Sequence, residues 1–289
     1  MKIIHFCAGL QFWNGMANTA RQFMAEEVAQ GHESSLTDRL DDVVPGIDVV
    51  YIHGAWLLVL WKVAKRAKSV GAKLIIRPAG SYDPVRLAYH SWKKRLVAYF
   101  ERKMLRRADI LLGTCEAEAG WVKDYVGKDC PKVEISDLKR FFDLSMPVNY
   151  PQRTGMSVIH VLYLGRMHPL KGVKYLEFAV ADLNCSRRLR DPGCNSDCVE
   201  LKIVSGAKGE ELEKIWQWAD VLVLPTLSEN FGRVIAEALE RGKPVITTDG
   251  APAWEDLTEA QGIYLKGFRD GSDEIRVKLL KDALTQFVE

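Results

Sequence analysis

Short runs of consecutive apolar residues alternate along the chain with longer stretches in which apolar residues recur every three or four positions. The stretch 16–30 is of the second kind and predicts a helix. The continuous runs predict parallel strands covered on both faces, and their alternation with helices predicts a doubly wound α/β fold. Ten strands are predicted, at residues 3–6, 48–53, 73–77, 109–113, 132–135, 158–164, 200–204, 221–224, 245–248 and 263–265.

The alternation is interrupted once, in the segment DLSMPVNYPQRTGMS at residues 143–157, which is rich in proline and polar residues and has no periodicity. Five predicted strands lie on each side of it. We therefore expect two Rossmann-like domains, residues 1–145 and 156–289, joined by a linker at 146–155 and facing each other across a cleft.

The formal net charge of the 289 residues is only +2, which does not favour a dedicated nucleic-acid binder. The first 150 residues carry 22 Lys and Arg against 17 Asp and Glu, so this half favours an anionic partner or surface. No apolar run approaches the ~20 residues of a membrane span. The first ten residues have the pattern of a buried strand rather than of a signal peptide. A cytoplasmic location is expected.

Six cysteines suit that compartment as free thiols. Cys185, Cys194 and Cys198 cluster in one segment, but they have neither a nearby histidine nor a paired C-x2-C, so an irregular loop is favoured over a zinc site. The chain contains no Asp-x-Asp pair that would clamp Mg²⁺ or Mn²⁺ on a diphosphate. Neither a metal nor another cofactor is expected.

The segment ADVLVLPTLSENFGRVIAEALERGKPVITTDGAPAWED, residues 219–256, predicts a strand, a polar loop, a helix over about 231–240 and a second strand. Backbone N–H groups around 231–233, at the start of the helix, suit an anionic phosphate. Glu229 and Glu237 are about 12 Å apart along a helix, roughly the span from a sugar across a diphosphate to a ribose. On spacing alone, the favoured interpretation is that both are helix-end and surface glutamates that stabilise the helix dipole.

A second segment, VLYLGRMHPLKG at residues 161–172, predicts a strand that ends at a tight turn permitted by Gly165. Arg166 and Lys171 follow this strand end. Two cations there can neutralise a diphosphate and stabilise it as a leaving group. The alternative is a surface loop with two solvated bases.

Together these segments resemble the family-4 retaining glycosyltransferases, whose signatures are a G-R-x(n)-K-G loop and a Glu-x7-Glu motif within S-E-x-F-G. In this chain they are GRMHPLKG and SENFGRVIAE, followed by GKPVITTDGAP. In the first half, DVVYIHGAW, IIRPAGSYDP and the run SWKKRLVAYFERKMLRRADILLGTCEAEA resemble the branch that builds bacterial surface polysaccharides and lipopolysaccharide.

The resemblance implies a GT-B fold and transfer of a hexose-type sugar from a nucleoside diphosphate sugar to a glycan or lipid-linked hydroxyl, with retention. The loop beginning at Gly165 would bring Arg166 and Lys171 to the donor diphosphate. Glu229 would hold donor-sugar hydroxyls, and Glu237 the ribose. Further implied contacts are the backbone of Asn230, Phe231 and Gly232, and the loop bracketed by Gly9 and Gly15, which approaches the reaction centre from the opposite domain.

Two departures from the family pattern stand out. Relatives commonly have P-H-G after the third strand, where this chain has Pro78-Ala79-Gly80. His53, at the end of the second predicted strand, is the histidine in a comparable position, either near the reaction centre or packed at a strand end. Only 57 residues separate Lys171 from Glu229. The relatives' additional strand–helix unit, which contacts the nucleotide base, is therefore expected to be missing.

Other functions remain possible at this point. Ala79 and the short second half are compatible with a non-catalytic binding subunit, and the fold with a nucleotide-sugar epimerase or a phosphorylase. The S-E-x-F-G form of the motif disfavours the two enzymes. A dinucleotide-dependent oxidoreductase lacks its G-x-G-x-x-G after the first strand.

Residues 92–107, WKKRLVAYFERKMLRR, predict a basic amphipathic helix with seven Lys and Arg against one Glu. Such a helix can sit on an anionic membrane surface. The apolar stripe is expected to cover the sheet, so electrostatic docking without deep insertion is predicted; the alternative is a helix whose charges are merely solvated. The apolar stripe comprises Leu96, Val97, Phe100, Met104 and Leu105, and the docking cations are Lys93, Lys94, Arg95, Arg102 and Lys103.

Overall fold

The structure is a computed structural model that describes residues 1–10, 14–89, 91–151, 158–190 and 198–288. The chain divides into two compact units, Met1–Phe141 and Phe142–Glu289. The division falls four residues before the predicted end of the first domain at residue 145, so the predicted linker at 146–155 belongs to the second unit. Residues 152–155 of that linker, like Cys194, lie outside the described residues.

The first unit contains a six-stranded parallel sheet with the strand order β2-β1-β3-β4-β5-β6. Its strands are β1 (Lys2–Cys7), β2 (Glu33–Thr37), β3 (Val49–His53), β4 (Lys73–Arg77), β5 (Ile110–Gly113) and β6 (Lys132–Ile135). Its helices are α1 (Asn14–Ala29), α2 (Leu58–Ser69), α3 (Pro84–Ala88), α4 (Ser91–Leu105) and α5 (Glu116–Val126).

Strand β2 is absent from the sequence-based prediction. Its sequence, ESSLT, has no apolar run, and its first four residues alternate between exposed and partly buried positions. It lies at the edge of the sheet, where one side of the strand needs no cover. The predicted central strands of this unit carry the consecutive buried residues of parallel strands, such as Ile3–Cys7 in β1, whereas the predicted edge strand β6 has no fully buried residue.

The second unit contains a five-stranded parallel sheet with the order β11-β10-β9-β7-β8. Its strands are β7 (Ile159–Leu164), β8 (Val199–Val204), β9 (Val221–Leu224), β10 (Val245–Thr248) and β11 (Gly262–Leu265). Its helices are α6 (Val173–Arg190), α7 (Gly209–Trp218), α8 (Arg233–Leu239) and α9 (Asp273–Val288). All five strands were predicted, within a residue at each end.

The strand order of the second sheet brings its two central loops together. Strand β7 pairs with β9, although β8 lies between them in the chain. The carboxyl ends of neighbouring parallel strands meet at one edge of a sheet, and ligands of such sheets bind at that edge. The segments that follow β7 and β9 are those with the sequence motifs.

Helix α4 differs from the prediction that its apolar stripe covers the sheet. Met104 and Leu105 are buried, but Leu96 is 72% and Phe100 53% exposed. The side that faces the unit instead contains a charged residue, Glu101, which is fully buried. Within the described residues, no helix is both long and apolar enough to cross a bilayer.

Candidate active site

The loop after β7 begins with Gly165, whose N–H donates to the carbonyl of Val204 at 3.0 Å. The Tyr163 hydroxyl lies beneath the loop and donates to the Arg166 carbonyl at 2.9 Å. A β-carbon on Gly165 would lie 3.1 Å from that hydroxyl oxygen. Burial and the nearby Glu229 carboxylate raise the pKa of Tyr163, so its hydroxyl remains a donor. The Tyr163 hydroxyl thus fixes the backbone of the loop at Arg166, while the Arg166 side chain is exposed.

The loop then makes a short 3₁₀ turn, Pro169–Lys171. Its N-cap is His168, whose Nδ1 accepts a hydrogen bond from the Leu170 N–H at 3.1 Å. Lys171 ends this turn and is only 9% exposed. Gly172 follows in the left-handed conformation, with φ 65°. A β-carbon on Gly172 would lie 1.9 Å from the carbonyl oxygen of Pro225. The K-G pair of the motif therefore allows the loop after β7 to contact the loop after β9.

Hydrogen bonds join these two loops directly. The Leu227 N–H donates to the Leu170 carbonyl at 2.8 Å, and the Thr226 hydroxyl donates to the same oxygen at 3.1 Å. A further bond ties the loop after β9 to the segment after β10: the Glu229 N–H donates to the Gly250 carbonyl at 2.7 Å. These bonds fix the backbone on both sides of the motif residues.

The Lys171 ammonium and the Glu229 carboxylate form an ion pair at the junction of the two loops. Their side chains are only 11% and 19% exposed. The structure thus brings together two residues that were predicted to bind neighbouring parts of one ligand. A shielded ion pair can exchange its internal contact for contacts with an anion and a hydroxyl without moving the backbone.

The S-E-N-F-G segment continues from this pair. The Asn230 N–H donates to Glu229 Oε1 at 3.0 Å. Phe231 is buried between the rings of Phe142 and Trp254, with ring centroids 5.7 and 5.4 Å apart, and its carbonyl accepts a hydrogen bond from the Trp254 indole. Phe231 therefore holds the loop in place by packing.

The helix was predicted to begin near Phe231, but α8 begins at Arg233. Gly232 precedes it in the left-handed conformation, with φ 68°, which interrupts helical geometry at that residue. Glu237 lies on α8 and is half-buried, with its Oε1 3.9 Å from Arg233 Nε. Burial raises the pKa of Glu237, and the Arg233 and Arg241 charges oppose this rise.

A cavity of about 760 Å³ opens at the carboxyl end of β8. It adjoins the loop after β7 through the hydrogen bond from Gly165 to Val204. This cavity was not predicted from the sequence, although the S-G turn after a predicted strand is a usable signal. The residues that line it are Lys202, Ile203, Val204, Ser205, Glu210, Glu211, Lys214 and Ile215.

In the first unit, His53 ends strand β3 and is 1% exposed. Its Nε2 lies 3.0 Å from His5 Nδ1, and His5 Nε2 lies 2.9 Å from Glu27 Oε2. Burial, together with His5 and Arg77, holds the pKa of His53 well below its usual range. These surroundings match the alternative of a histidine packed at a strand end, and a role at the reaction centre stays a prediction.

The other candidates in this unit are Gly9 and Gly15. Gly9 has φ 65°, and Gly15 lies exposed in the first turn of α1. Residues 11–13 between them lie outside the described residues. Their approach to a reaction centre also stays a prediction.

Ala79, which replaces the histidine of the family pattern, adopts the left-handed conformation with φ 54°. The next residue, Gly80, donates its N–H to the buried Glu118 carboxylate at 2.5 Å. Glu118 also accepts from the N–H and the hydroxyl of Thr114. Glu118 thus joins the loops after β4 and β5, a role that was not predicted from the sequence.

Comparison with known proteins now identifies the fold. Residues 159–275 match the family described as glycosyl transferases group 1, and residues 35–135 match the glycosyl transferase 4-like domain. The chain is similar to the structure of WaaG, a glycosyltransferase involved in lipopolysaccharide biosynthesis, with a TM-score of 0.59, 16% identity and coverage of 99% of this chain and 91% of that one.

A second solved structure, Anabaena Alr3699/HepE in complex with UDP-glucose, gives a TM-score of 0.60 at 16% identity and covers 100% of this chain and 91% of that one. Among sequences, the D-inositol 3-phosphate glycosyltransferase of Paenarthrobacter aurescens (strain TC1) is 27% identical over 178 residues, or 52% of this chain. That match spans 43% of the relative's own length.

The two parallel sheets and these structural likenesses define a protein of the GT-B class, as predicted. The two family matches, 117 and 101 residues long, together span about three quarters of the 289 residues and contain both motifs. The chain belongs to the family-4 glycosyltransferases.

Proposed function

We propose that this protein transfers a hexose-type sugar from a nucleoside diphosphate sugar to an acceptor hydroxyl with retention of configuration. The observation that carries the proposal is the shielded ion pair between Lys171 and Glu229. Two motifs 57 residues apart meet there on loops fixed by backbone hydrogen bonds. A pre-organised cation next to a carboxylate suits a ligand with a diphosphate next to sugar hydroxyls.

In this proposal Lys171 and Arg166 contact the donor diphosphate and stabilise the negative charge that develops as it leaves. Glu229 accepts hydrogen bonds from donor-sugar hydroxyls, and Glu237 from the ribose. The cavity beside Val204 adjoins the same loop and offers room for the nucleoside. The leaving diphosphate oxygen takes the acceptor proton, so no covalent nucleophile is required.

We further propose that the reaction belongs to the synthesis of lipopolysaccharide, capsule or another surface glycan, on the cytoplasmic side of the membrane. Support comes from WaaG, whose description names lipopolysaccharide biosynthesis. Anabaena Alr3699/HepE, in complex with UDP-glucose, supports a uridine donor as the first to test.

The proposal can be tested by measuring the melting temperature of the full chain against a panel of nucleotide sugars. A ligand present at 100 times its dissociation constant stabilises the folded state by about 2.7 kcal/mol. The stabilising donor is then incubated with candidate acceptors, and the product is analysed. Binding without transfer to any acceptor would indicate a binding subunit, and an altered donor sugar without acceptor would indicate an epimerase.

Transfer is expected to proceed without a divalent metal. The positive charge at the diphosphate would come from Arg166 and Lys171, and the sequence offers no Asp-x-Asp pair to hold a metal there. The initial rate should therefore be unchanged after dialysis against EDTA. A rate that disappears in EDTA and returns with Mn²⁺ would contradict this.

Glu237→Ala is expected to raise the KM for the donor more than it lowers kcat, because the ribose contact is the same in the ground state and the transition state. Because the pKa of Glu237 is raised, the carboxylate takes up a proton at a higher pH than an ordinary glutamate does. As the pH is lowered, donor affinity should therefore begin to fall at that higher pH. Isothermal titration across pH measures this. A KM equal to that of the wild type would remove Glu237 from the donor site.

The stability of the free protein should have the opposite pH dependence. A raised pKa in the folded state means that the contribution of Glu237 to stability is greatest at low pH and is lost as pH rises through that pKa. Glu237→Gln should therefore raise the melting temperature at neutral pH relative to the wild type. The exposed Glu259→Gln serves as the control.

A further inference from the structure

Helix α4 carries large apolar side chains on the side that faces solvent. Trp92 is 61%, Leu96 72%, Tyr99 67% and Phe100 53% exposed. At ~100° per residue, Trp92, Leu96 and Tyr99 lie within an arc of ~60°, and Phe100 lies ~40° beyond it. We call these four residues the outward face of α4. Contiguous exposed apolar surface of this kind marks a site of interaction.

The opposite side of the helix fixes this orientation. The buried Glu101 carboxylate accepts hydrogen bonds from the Trp56 N–H at 3.0 Å, the Trp61 indole at 2.7 Å and the Tyr82 hydroxyl at 2.6 Å. Rotating the helix so that its outward face became covered would break all three hydrogen bonds. Each buried partner left without a hydrogen bond would then lower the stability of the fold. The apolar side chains therefore remain at the surface.

The apolar surface continues onto α2. The Trp61 ring stacks on Phe100, with centroids 5.4 Å apart and an interplanar angle of 22°. One turn earlier, at the start of α2, Leu58 is 61% exposed, and the preceding Leu57 is 39% exposed. The surface thus spans two neighbouring helices.

Within the chain segment that contains α2, α3 and α4, the exposed charge has a single sign. Residues 49–108, all described except residue 90, contain 14 Lys and Arg and only two acidic residues, Asp83 and Glu101. Asp83 is 1% and Glu101 0% exposed. Exposed carboxylates are therefore absent from this described segment, whereas most of its cations are at the surface.

Cations and rings also interleave on the outward face itself. Lys93 Nζ lies 5.4 Å from the centre of the Trp92 ring, and Lys103 Nζ lies 5.9 Å from that of Tyr99. Aromatic rings with adjacent ammonium groups suit the headgroup region of an anionic bilayer, where rings enter the interface and the cations contact phosphates.

We propose that the outward face of α4 docks the chain on an anionic phospholipid surface, with Trp92, Leu96 and Tyr99 entering the headgroup region. Lys93, Arg95 and Lys103 contact the lipid phosphates. The exposed apolar residues thus add an inserted component to the purely electrostatic contact predicted from the sequence. This docking requires no sugar transfer, so its test is independent of the proposed reaction.

The first test is co-sedimentation of the full chain with phosphatidylcholine vesicles that contain or lack phosphatidylglycerol. We expect binding to the anionic vesicles, with a fraction that persists in high salt. The triple variant Trp92→Ser, Leu96→Ser, Tyr99→Ser should bind at least about tenfold more weakly and lose the salt-resistant fraction. The matched control, Phe178→Ser with Ile275→Ser, removes side chains that are 62% and 49% exposed in the second unit and should bind like the wild type.

The second test reverses charges. Lys93→Glu, Arg95→Glu and Lys103→Glu should each weaken binding about fivefold or more, since a basic residue near an anionic surface contributes about a factor of five. Lys94 is left unchanged because its Nζ donates to the Tyr89 carbonyl at 3.0 Å. Arg102 is left unchanged because it donates to the Tyr125 carbonyl at 2.8 Å.

The third test asks whether the rings insert. Brominated lipid in the anionic vesicles should quench part of the tryptophan fluorescence, and Trp92→Phe should remove that part while the chain still sediments. Equal recovery in the supernatant with anionic and neutral vesicles overturns the proposal, as does wild-type sedimentation of the serine variant. A dimer in lipid-free buffer that depends on the outward face, from a chain that binds no vesicles, overturns it as well.

Discussion

Replacing Lys171 with alanine is expected to lower kcat/KM for glycosyl transfer by about 10²–10³ while the chain remains folded. The ammonium lies shielded against Glu229 on a loop held by hydrogen bonds at Leu170, so its charge is in place before the donor arrives. Glu229→Ala should have an effect of the same order, because each residue is expected to contact the donor next to the bond that breaks.

The matched control for Lys171→Ala is Lys174→Ala, which removes an exposed lysine from the next helix. Steady-state rates should separate the two, and circular dichroism should show that both variants are folded. In Lys171→Ala/Glu229→Ala the losses should not add, because each single variant already breaks the pair. Wild-type turnover by Lys171→Ala would exclude this lysine from the mechanism.

Gly172→Ala is expected to destabilise the second unit by about 3–5 kcal/mol, the range of the severe single substitutions. The new β-carbon would lie 1.9 Å from the Pro225 carbonyl oxygen, and φ is 65°, which disfavours any side chain. Neither strain can be relieved without separating the loops after β7 and β9. Activity should be lost together with stability, as measured by urea unfolding.

Gly206→Ala separates the effect of the close contact with Pro225 from the effect of the positive φ. Gly206 has φ 86°, but no atom lies within 4 Å of its β-carbon position. The substitution should therefore lower the free energy of unfolding by only about 1 kcal/mol, the penalty of the left-handed conformation alone. Equal unfolding midpoints for Gly172→Ala and Gly206→Ala would show that the contact with Pro225 contributes nothing.

The strands that could be predicted are those whose sequences contain recurring apolar residues. Strand β9, VLVL, is buried at every position, so its apolar run is sufficient evidence. Strand β2, ESSLT, could not be predicted because an edge strand with a polar sequence depends on its hydrogen bonds to β1 rather than on burial. The fold class survived this omission because one edge strand does not change the parallel alternation.

The candidate site was predictable in its parts but not in its contacts. The residues of the ion pair could be named from the motifs, whereas their meeting depends on the pairing of β7 with β9, which are 56 residues apart in the chain. The start of α8 was predicted two residues early, because the left-handed Gly232 carries no periodicity signal. Non-local pairing and backbone conformation are the missing information in both cases.

Helix α4 shows why an apolar stripe does not reveal which side of a helix is covered. The stripe is real, but Leu96 and Phe100 are exposed while Glu101 is buried. A carboxylate with three donors can occupy the inner side, because its hydrogen bonds offset the cost of burial. Those donors come from Trp56, Trp61 and Tyr82, whose convergence only the fold provides.

The strand order of the second sheet has a consequence for how such chains can vary in length. Strand β8 lies outside β7 at the edge of the sheet, while β9 pairs with the other side of β7. Strand–helix units inserted or deleted next to β8 extend or shorten that edge and leave the β7–β9 junction unchanged. Evolution can therefore remodel the segment between the two motifs freely, whereas an insertion between β7 and β9 in space would separate Lys171 from Glu229.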